Sequence, residues 1–242
     1  HLLTLLLNWP DKSDQFVVFH NSGNQGMKRI LASLSKLEQV TIVPFPDSSS
    51  FLPAPYAKVA RYFSLPLRFL LMKRRAQRLL RFHGPFDVLF ANNGGYPGAW
   101  GTLAALWAGS SLGLRTRLLL VHHEAMGRGP LRHSFESLLD LGVQHWATDL
   151  VAVSRATRST LMERRGFYAY KNPIRVIHNG VDMSADTDTL TMDLRAQMAI
   201  PADSFVVGMV GRLERYKGHE DLILALGELP SNTISQVVVV FV

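Results

Sequence analysis

The sequence predicts an α/β chain built on parallel strands, and three observations predict it. Short apolar runs recur at residues 16–20, 40–43, 88–91, 118–121, 150–153, 175–178, 205–210 and 236–242. These runs are continuously apolar rather than alternating, the pattern of strands covered on both faces. Helical patterns lie between most of them, and repeated strand–helix alternation implies a parallel sheet with right-handed crossovers.

The elements follow in order. Residues 2–7 are apolar and helix-like, without the basic leader and cleavage site of a signal peptide. Ser64 is positioned to cap a helix with Pro66 in its first turn. On that helix Leu65, Phe69, Met72, Ala76 and Leu79 gather on one side, and Arg68, Arg75 and Arg78 on the other, with Arg74 and Arg81 beside them. The strand at 88–91 opens into Asn92, Asn93, Gly94, Gly95, Tyr96, Pro97 and Gly98. The apolar helix at 99–108 behind this loop is shorter than the ~20 residues that cross a bilayer. The strand at 118–121 leads into His122, His123 and Glu124. Ser154 caps a helix at 156–165 that stops at Gly166. The strand at 175–178 runs into Asn179 and Gly180; its place between two parallel-type units argues against a hairpin.

A polar stretch at 181–203, holding a short helix at 193–199, breaks the rhythm. The domain boundary is placed there. Residues 1–183 form a first Rossmann-like domain without its first strand; residues 184–242 form a linker and the start of a second. The second opens with the strand at 205–210 and a helix beginning near Gly218, striped by Leu222, Ile223, Leu226 and Leu229. A chain that starts on a helix and stops on a strand is expected to be a piece cut at both ends.

Composition narrows the function. Hydrophobic residues make up 47% and charged residues 19%, which excludes a disordered chain. The absence of cysteine excludes disulfides and cysteine metal sites and fits a reducing compartment. The net charge of +7 is a local property. Between Asp47 and Asp87 stand Lys58, Arg61, Arg68, Lys73, Arg74, Arg75, Arg78 and Arg81 with no acidic residue among them. A basic amphipathic helix of this kind either packs with a solvated face or rests on anionic lipid, where each cation contributes ~1 kcal/mol. The stretch carries no aromatic interleaving or nucleic-acid motif, so no nucleic-acid partner is expected.

The strongest chemical signal follows the strand at 205–210: Gly211, Arg212, Lys217 and Gly218, then a helix. Ligands bind beyond the carboxyl ends of strands in open parallel sheets. A helix N-terminus attracts anions with ~0.3–1 kcal/mol per charge. Arginine grips phosphate oxygens bidentately and lysine adds a point charge. The arrangement therefore reads as a diphosphate site that stabilises a leaving group without a metal.

The ordered set Val151, Ala152, Val153, Ser154; Arg175, Val176, Ile177, His178, Asn179, Gly180, Val181, Asp182; Leu194, Arg195 before Ile200, Pro201; Val210, Gly211, Arg212, Leu213; and Lys217, Gly218 with Ala225 resembles the family 4 glycosyltransferases of the GT-B fold. It lies within residues 150–229, while the first half matches only in its α/β rhythm. The resemblance implies two Rossmann-like domains facing a cleft. It implies transfer of a sugar from a UDP- or GDP-type donor to a sugar, glycolipid or polysaccharide acceptor, with retention, no cofactor and no metal. It assigns Arg212 and Lys217 to the donor diphosphate, with Gly211 and Gly218 lining the pocket. It puts His122 or His123 near the transferred sugar, and Asn92, Asn93, Gly94, Gly95 and Tyr96 on the acceptor side. A cytoplasmic protein is implied, peripheral on the inner face of the membrane through the basic helix. Two other readings compete. A nicotinamide-dependent Rossmann enzyme would need a Gly-x-Gly-x-x-Gly turn, which Gly94, Gly95 and Gly98 do not make. A non-enzymatic binder of polyanions or membranes would use the 58–81 patch alone.

Overall fold

A computed structural model of the chain describes residues 2–21, 27–45, 65–125, 133–164, 173–180 and 193–242. The chain divides into two compact units, His1–Val181 and Asp182–Val242.

In the first unit the elements run α1 (Leu2–Leu7), β1 (Phe16–Asn21), α2 (Met27–Leu34), β2 (Val40–Phe45), α3 (Leu65–His83), β3 (Val88–Asn93), α4 (Trp100–Ser111), β4 (Thr116–Val121), α5 (His133–Trp146), β5 (Asp149–Ala152), α6 (Arg155–Met162) and β6 (Arg175–Val176). Every strand pair is parallel. Among the described residues the expected single sheet is instead two: β1 pairs with β2, and β3-β4-β5-β6 form the larger sheet in chain order. Continuous burial holds best for β5, where Leu150, Val151 and Ala152 are buried. Most residues of β1 and β3 remain partly or fully exposed, so an apolar run here does not mean two covered faces.

The core gathers where α3, α4 and α5 cover the larger sheet. Leu103, Leu106, Leu119, Val121, Leu139, Val143 and Leu150 are closed to solvent within it. Four aromatic rings knit the helices. Phe69 of α3 stacks on Trp107 of α4 at 5.7 Å and lies 5.9 Å from Trp146 of α5, and Trp107 stacks on Trp146 at 5.1 Å. Phe135 meets the edge of Phe69 at 6.0 Å. Offset and edge contacts of this kind add ~0.5–1.5 kcal/mol per pair beyond burial.

Helix α3 buries Leu65, Phe69, Met72, Ala76 and Leu80. Leu80, not the expected Leu79, ends the apolar stripe, because the inward row steps by four residues there. The basic face is also redrawn. Lys73 lies back over the Trp107 ring at 5.0 Å, and Arg68 and Arg75 are half-buried with partners of their own. The row turned to solvent is Leu67, Leu71, Arg74, Arg78, Arg81 and Phe82. Ser64, Lys58 and Arg61 lie outside the described residues, as do Gly166, Val181, Asp182 and the 183/184 boundary. No helix among the described residues is long and apolar enough to cross a membrane.

The second unit holds α7 (Leu194–Gln197), β7 (Phe205–Met209), a 3-10 turn (Arg215–Lys217), α8 (His219–Gly227), α9 (Ser231–Ile234) and β8 (Val237–Phe241). β7 and β8 pair in parallel from Phe205↔Val237 to Met209↔Phe241. Helix α7 is shorter than the 193–199 expected; Asp193 caps it by accepting from the Arg195 and Ala196 amides.

Candidate functional site

Parallel pairing delivers the carboxyl ends of β3, β4, β5 and β6 to one edge. Asn93 registers with Val121, Val121 with Ala152, and Ala152 with Val176. The ladder runs one step further through His122 N to Asn93 O, Val153 N to Val121 O and Ile177 N to Ala152 O, at 3.0, 3.2 and 3.0 Å. The loops holding Gly94, His122, Ser154 and His178 therefore leave from the same edge.

Local chemistry shapes each loop. The Asn93 side chain folds into its own turn, accepting from Gly95 N at 3.0 Å and donating to Gly98 O at 3.2 Å. That is an Asx turn, which competes with continuation of the strand. Helix α6 starts at Ser154, whose hydroxyl accepts from Thr157 N at 3.0 Å. Thr160 of α6 in turn accepts from Ala125 N at 2.9 Å and so clips the loop after β4 to the helix after β5.

The two histidines differ. His122 is half-buried and its Nε2 donates to Asn92 Oδ1 at 2.5 Å, which keeps the proton on Nε2. Burial, then the neighbouring His123, lowers its pKa below the ordinary value. His123 is exposed, with its Cβ 3.9 Å from where a Gly95 side chain would begin.

Two of the predicted acceptor-side residues face inward. Tyr96 is 0% exposed and its hydroxyl donates to Asp140 Oδ1 at 2.7 Å. Asn93 is also 0% exposed, its amide occupied by the turn. Neither offers a polar atom to a ligand; a tyrosine directed at sugar hydroxyls would have to leave a buried partner. Asn92, Gly94 and Gly95 stay at the surface or close to it.

Behind Tyr96 lies a cluster that sequence reading missed. Arg164 Nε donates to both Asp140 oxygens at 3.1 Å and its Nη2 to Glu136 at 3.3 Å, with its guanidinium 5.1 Å from the Tyr96 ring. Glu136 and Asp140 are four apart on α5, each directly after a core residue, Phe135 and Leu139. Two acids embedded in an apolar helical face are the signal that could have found them.

In the second unit Arg212 and Lys217 leave the carboxyl end of β7, as the loop reading expects. Arg212 is 75% exposed; its Nη1 pairs with Glu214 at 2.7 Å and its Nη2 donates to the Tyr216 hydroxyl at 2.9 Å. Lys217 Nζ lies 5.0 Å over the Tyr216 ring. Hydrogen bonding to the Glu214 carboxylate raises the Tyr216 pKa. Gly218 closes the 3-10 turn and opens α8 at φ 80°, a left-handed conformation that favours glycine. His219, missed by sequence reading, is buried beside Gly211, its ring 5.4 Å from that of Phe241 and tilted by 50° to it.

The family model of Glycosyltransferase Family 4 matches residues 25–185, about two thirds of the chain. The chain belongs to Glycosyltransferase Family 4. No curated protein matches the sequence. The family 4 match covers the strand edge from Asn92 to Gly180 and stops before Arg212. It also extends through the N-terminal half, where the sequence showed only an α/β rhythm.

Proposed function

We propose that this family 4 protein transfers a sugar from a UDP- or GDP-linked donor to an acceptor hydroxyl, with retention of configuration. The observation that carries the reading is the Arg212 loop: two exposed cations and a left-handed glycine between a parallel strand and a helix N-terminus. Its present contacts give way easily. An exposed ion pair such as Arg212–Glu214 contributes ~0–1 kcal/mol, whereas a bidentate guanidinium–phosphate contact is charge-assisted on both sides. Arg212 and Lys217 would take the diphosphate, Gly211 and Gly218 would let it approach, and the fixed cations would stabilise it as it leaves, with no metal required. His123, exposed beside Gly95, is the imidazole assigned to the sugar hydroxyls, and His122 holds Asn92 in place. Asn92, Gly94 and Gly95 form the acceptor side for a sugar, glycolipid or polysaccharide.

The outward row of α3 favours an acceptor at a membrane. It combines Arg74, Arg78 and Arg81 with the exposed Leu67, Leu71 and Phe82, the last 83% exposed. Cations that reach headgroups beside apolar side chains that enter the acyl boundary make an interfacial helix. On this reading the protein works in the cytoplasm, peripheral on the inner leaflet.

Thermal unfolding with added UDP or GDP tests the donor site. One nucleotide should protect the protein, by ~2.7 kcal/mol at a hundred times its Kd. Arg212→Ala and Lys217→Ala should each abolish most of that protection. Unchanged protection in both variants rejects the site.

A further inference from the structure

We infer that His219 is a binding residue for the donor diphosphate, its ring hydrogen-bonding a phosphate oxygen beside Arg212. The inference rests on the donor-site reading above and adds a residue to it.

His219 is the first residue of α8 and is only 8% exposed. Both ring nitrogens are shielded, and neither has a hydrogen-bond partner among the described residues. Buried polar side chains are nearly always paired, so an imidazole with two orphaned nitrogens needs an explanation. Whichever tautomer it adopts, one nitrogen carries a proton to donate.

The direction of the ring supplies the explanation. Its Cε1 lies 4.0 Å from where a Gly211 side chain would begin. Cε1 is bonded to both nitrogens, so the nitrogen-bearing edge is the one turned toward Gly211. The ring lies 5.4 Å from that of Phe241, the last residue of β8, tilted by 50° to it. The imidazole thus sits between the carboxyl ends of β7 and β8, the end of a parallel sheet where ligands bind.

The charges around it choose the ligand. Arg212 and Lys217 stand on the adjoining loop, and the first turn of α8 contributes its positive dipole end. Two acids compete on the other side. Asp221 Oδ2 lies 3.6 Å from the Gly218 side-chain position, and Glu220 faces Arg215 at 3.8 Å. These carboxylates weaken the pull on an anion at Gly218. The approach past Gly211 is the less opposed of the two, and His219 stands on it.

The test is calorimetric titration of the protein with UDP and with GDP. His219→Phe keeps an aromatic ring against Phe241 and removes the donor; His219→Gln restores an amide donor. His219→Phe should weaken the binding nucleotide about tenfold or more, and His219→Gln by no more than about threefold. A purely structural His219 would shift Tm in the variants and leave Kd unchanged, and that result overturns the inference. Ring nitrogen NMR shifts of His219 in the unmutated protein give a readout that does not depend on how the variants fold. They should move when the nucleotide is added, and static shifts overturn the inference as well. If Arg212→Ala weakens binding and His219→Phe does not, this inference falls alone. If the unmutated protein binds neither nucleotide, the donor-site reading falls with it.

Discussion

The Tyr96 hydroxyl donates to Asp140 Oδ1 at 2.7 Å, with both side chains closed to solvent. Burial, followed by the Asp140 charge, holds the Tyr96 pKa well above that of a free phenol, so it remains a donor. Arg164, just past the end of α6, and Glu136 of α5 close the cluster, so the loop after β3 is anchored to α5 and to the segment that follows α6. Asp140→Ala strips the Arg164 Nε of the carboxylate it donates to at 3.1 Å and should destabilise the fold by ~3–5 kcal/mol in urea. Tyr96→Phe leaves Asp140 paired with Arg164 and should lose ~1.5–3 kcal/mol. Equal losses in the two variants would show that the cluster is not organised around Asp140.

His122 gives stability a pH dependence with a definite sign. Its folded pKa lies below the ordinary 6.5, through burial first and His123 second. The unfolded chain therefore binds its proton at a higher pH than the folded one. The contribution of His122 is fully present above about pH 6.5 and falls as pH drops from there toward the folded pKa. His122→Gln should flatten this acid limb of a Tm-versus-pH curve. An identical slope in the variant would assign the effect to other groups.

Two glycines of the Asn-Gly loop should respond oppositely to alanine. A Cβ on Gly98 would lie 2.7 Å from the Gly95 carbonyl oxygen, a backbone atom that cannot step aside without moving the turn. A Cβ on Gly94 meets nothing within 4 Å. Gly98→Ala should lose ~1–3 kcal/mol, and Gly94→Ala should stay within ~0.5 kcal/mol of the parent, as read by chemical denaturation.

The outward row of α3 makes a prediction about which arginines matter. Sedimentation with anionic vesicles should fall about fivefold for Arg74→Gln or Arg78→Gln, the equivalent of ~1 kcal/mol per cation. Phe82→Ser should weaken binding to the same vesicles even at high salt, because it removes apolar contact. Arg75→Gln should have less effect on binding, since that side chain is half-buried. Equal losses at Arg74 and Arg75 would deny α3 a membrane face.

How much of this was legible follows from what each feature depends on. Strands were read from local apolar runs, and every predicted run became a strand, with ends shifted by a few residues as at Thr116–Val121. Ser154 was legible as a cap because capping is local. Pairing was not: the break between β2-β1 and β3 depends on neighbours far away in sequence. The Asn-Gly loop could be located, but the inward turn of Tyr96 depends on Asp140 and Arg164, 44 and 68 positions on. His219 was overlooked beside Lys217 and Gly218, because burial of a histidine leaves no mark on its flanking residues.

The row formed by Asn93, Val121, Ala152 and Val176 has a consequence for how such a protein changes over generations. Ladder hydrogen bonds are made by backbone, and the side chains beneath them pack into the core. The loops that leave from the same row carry few of those obligations. Residues of those loops such as Gly94 and His123 can be rewritten while the backbone ladder beneath them keeps its hydrogen bonds. Variation and robustness are thereby assigned to different stretches of one chain.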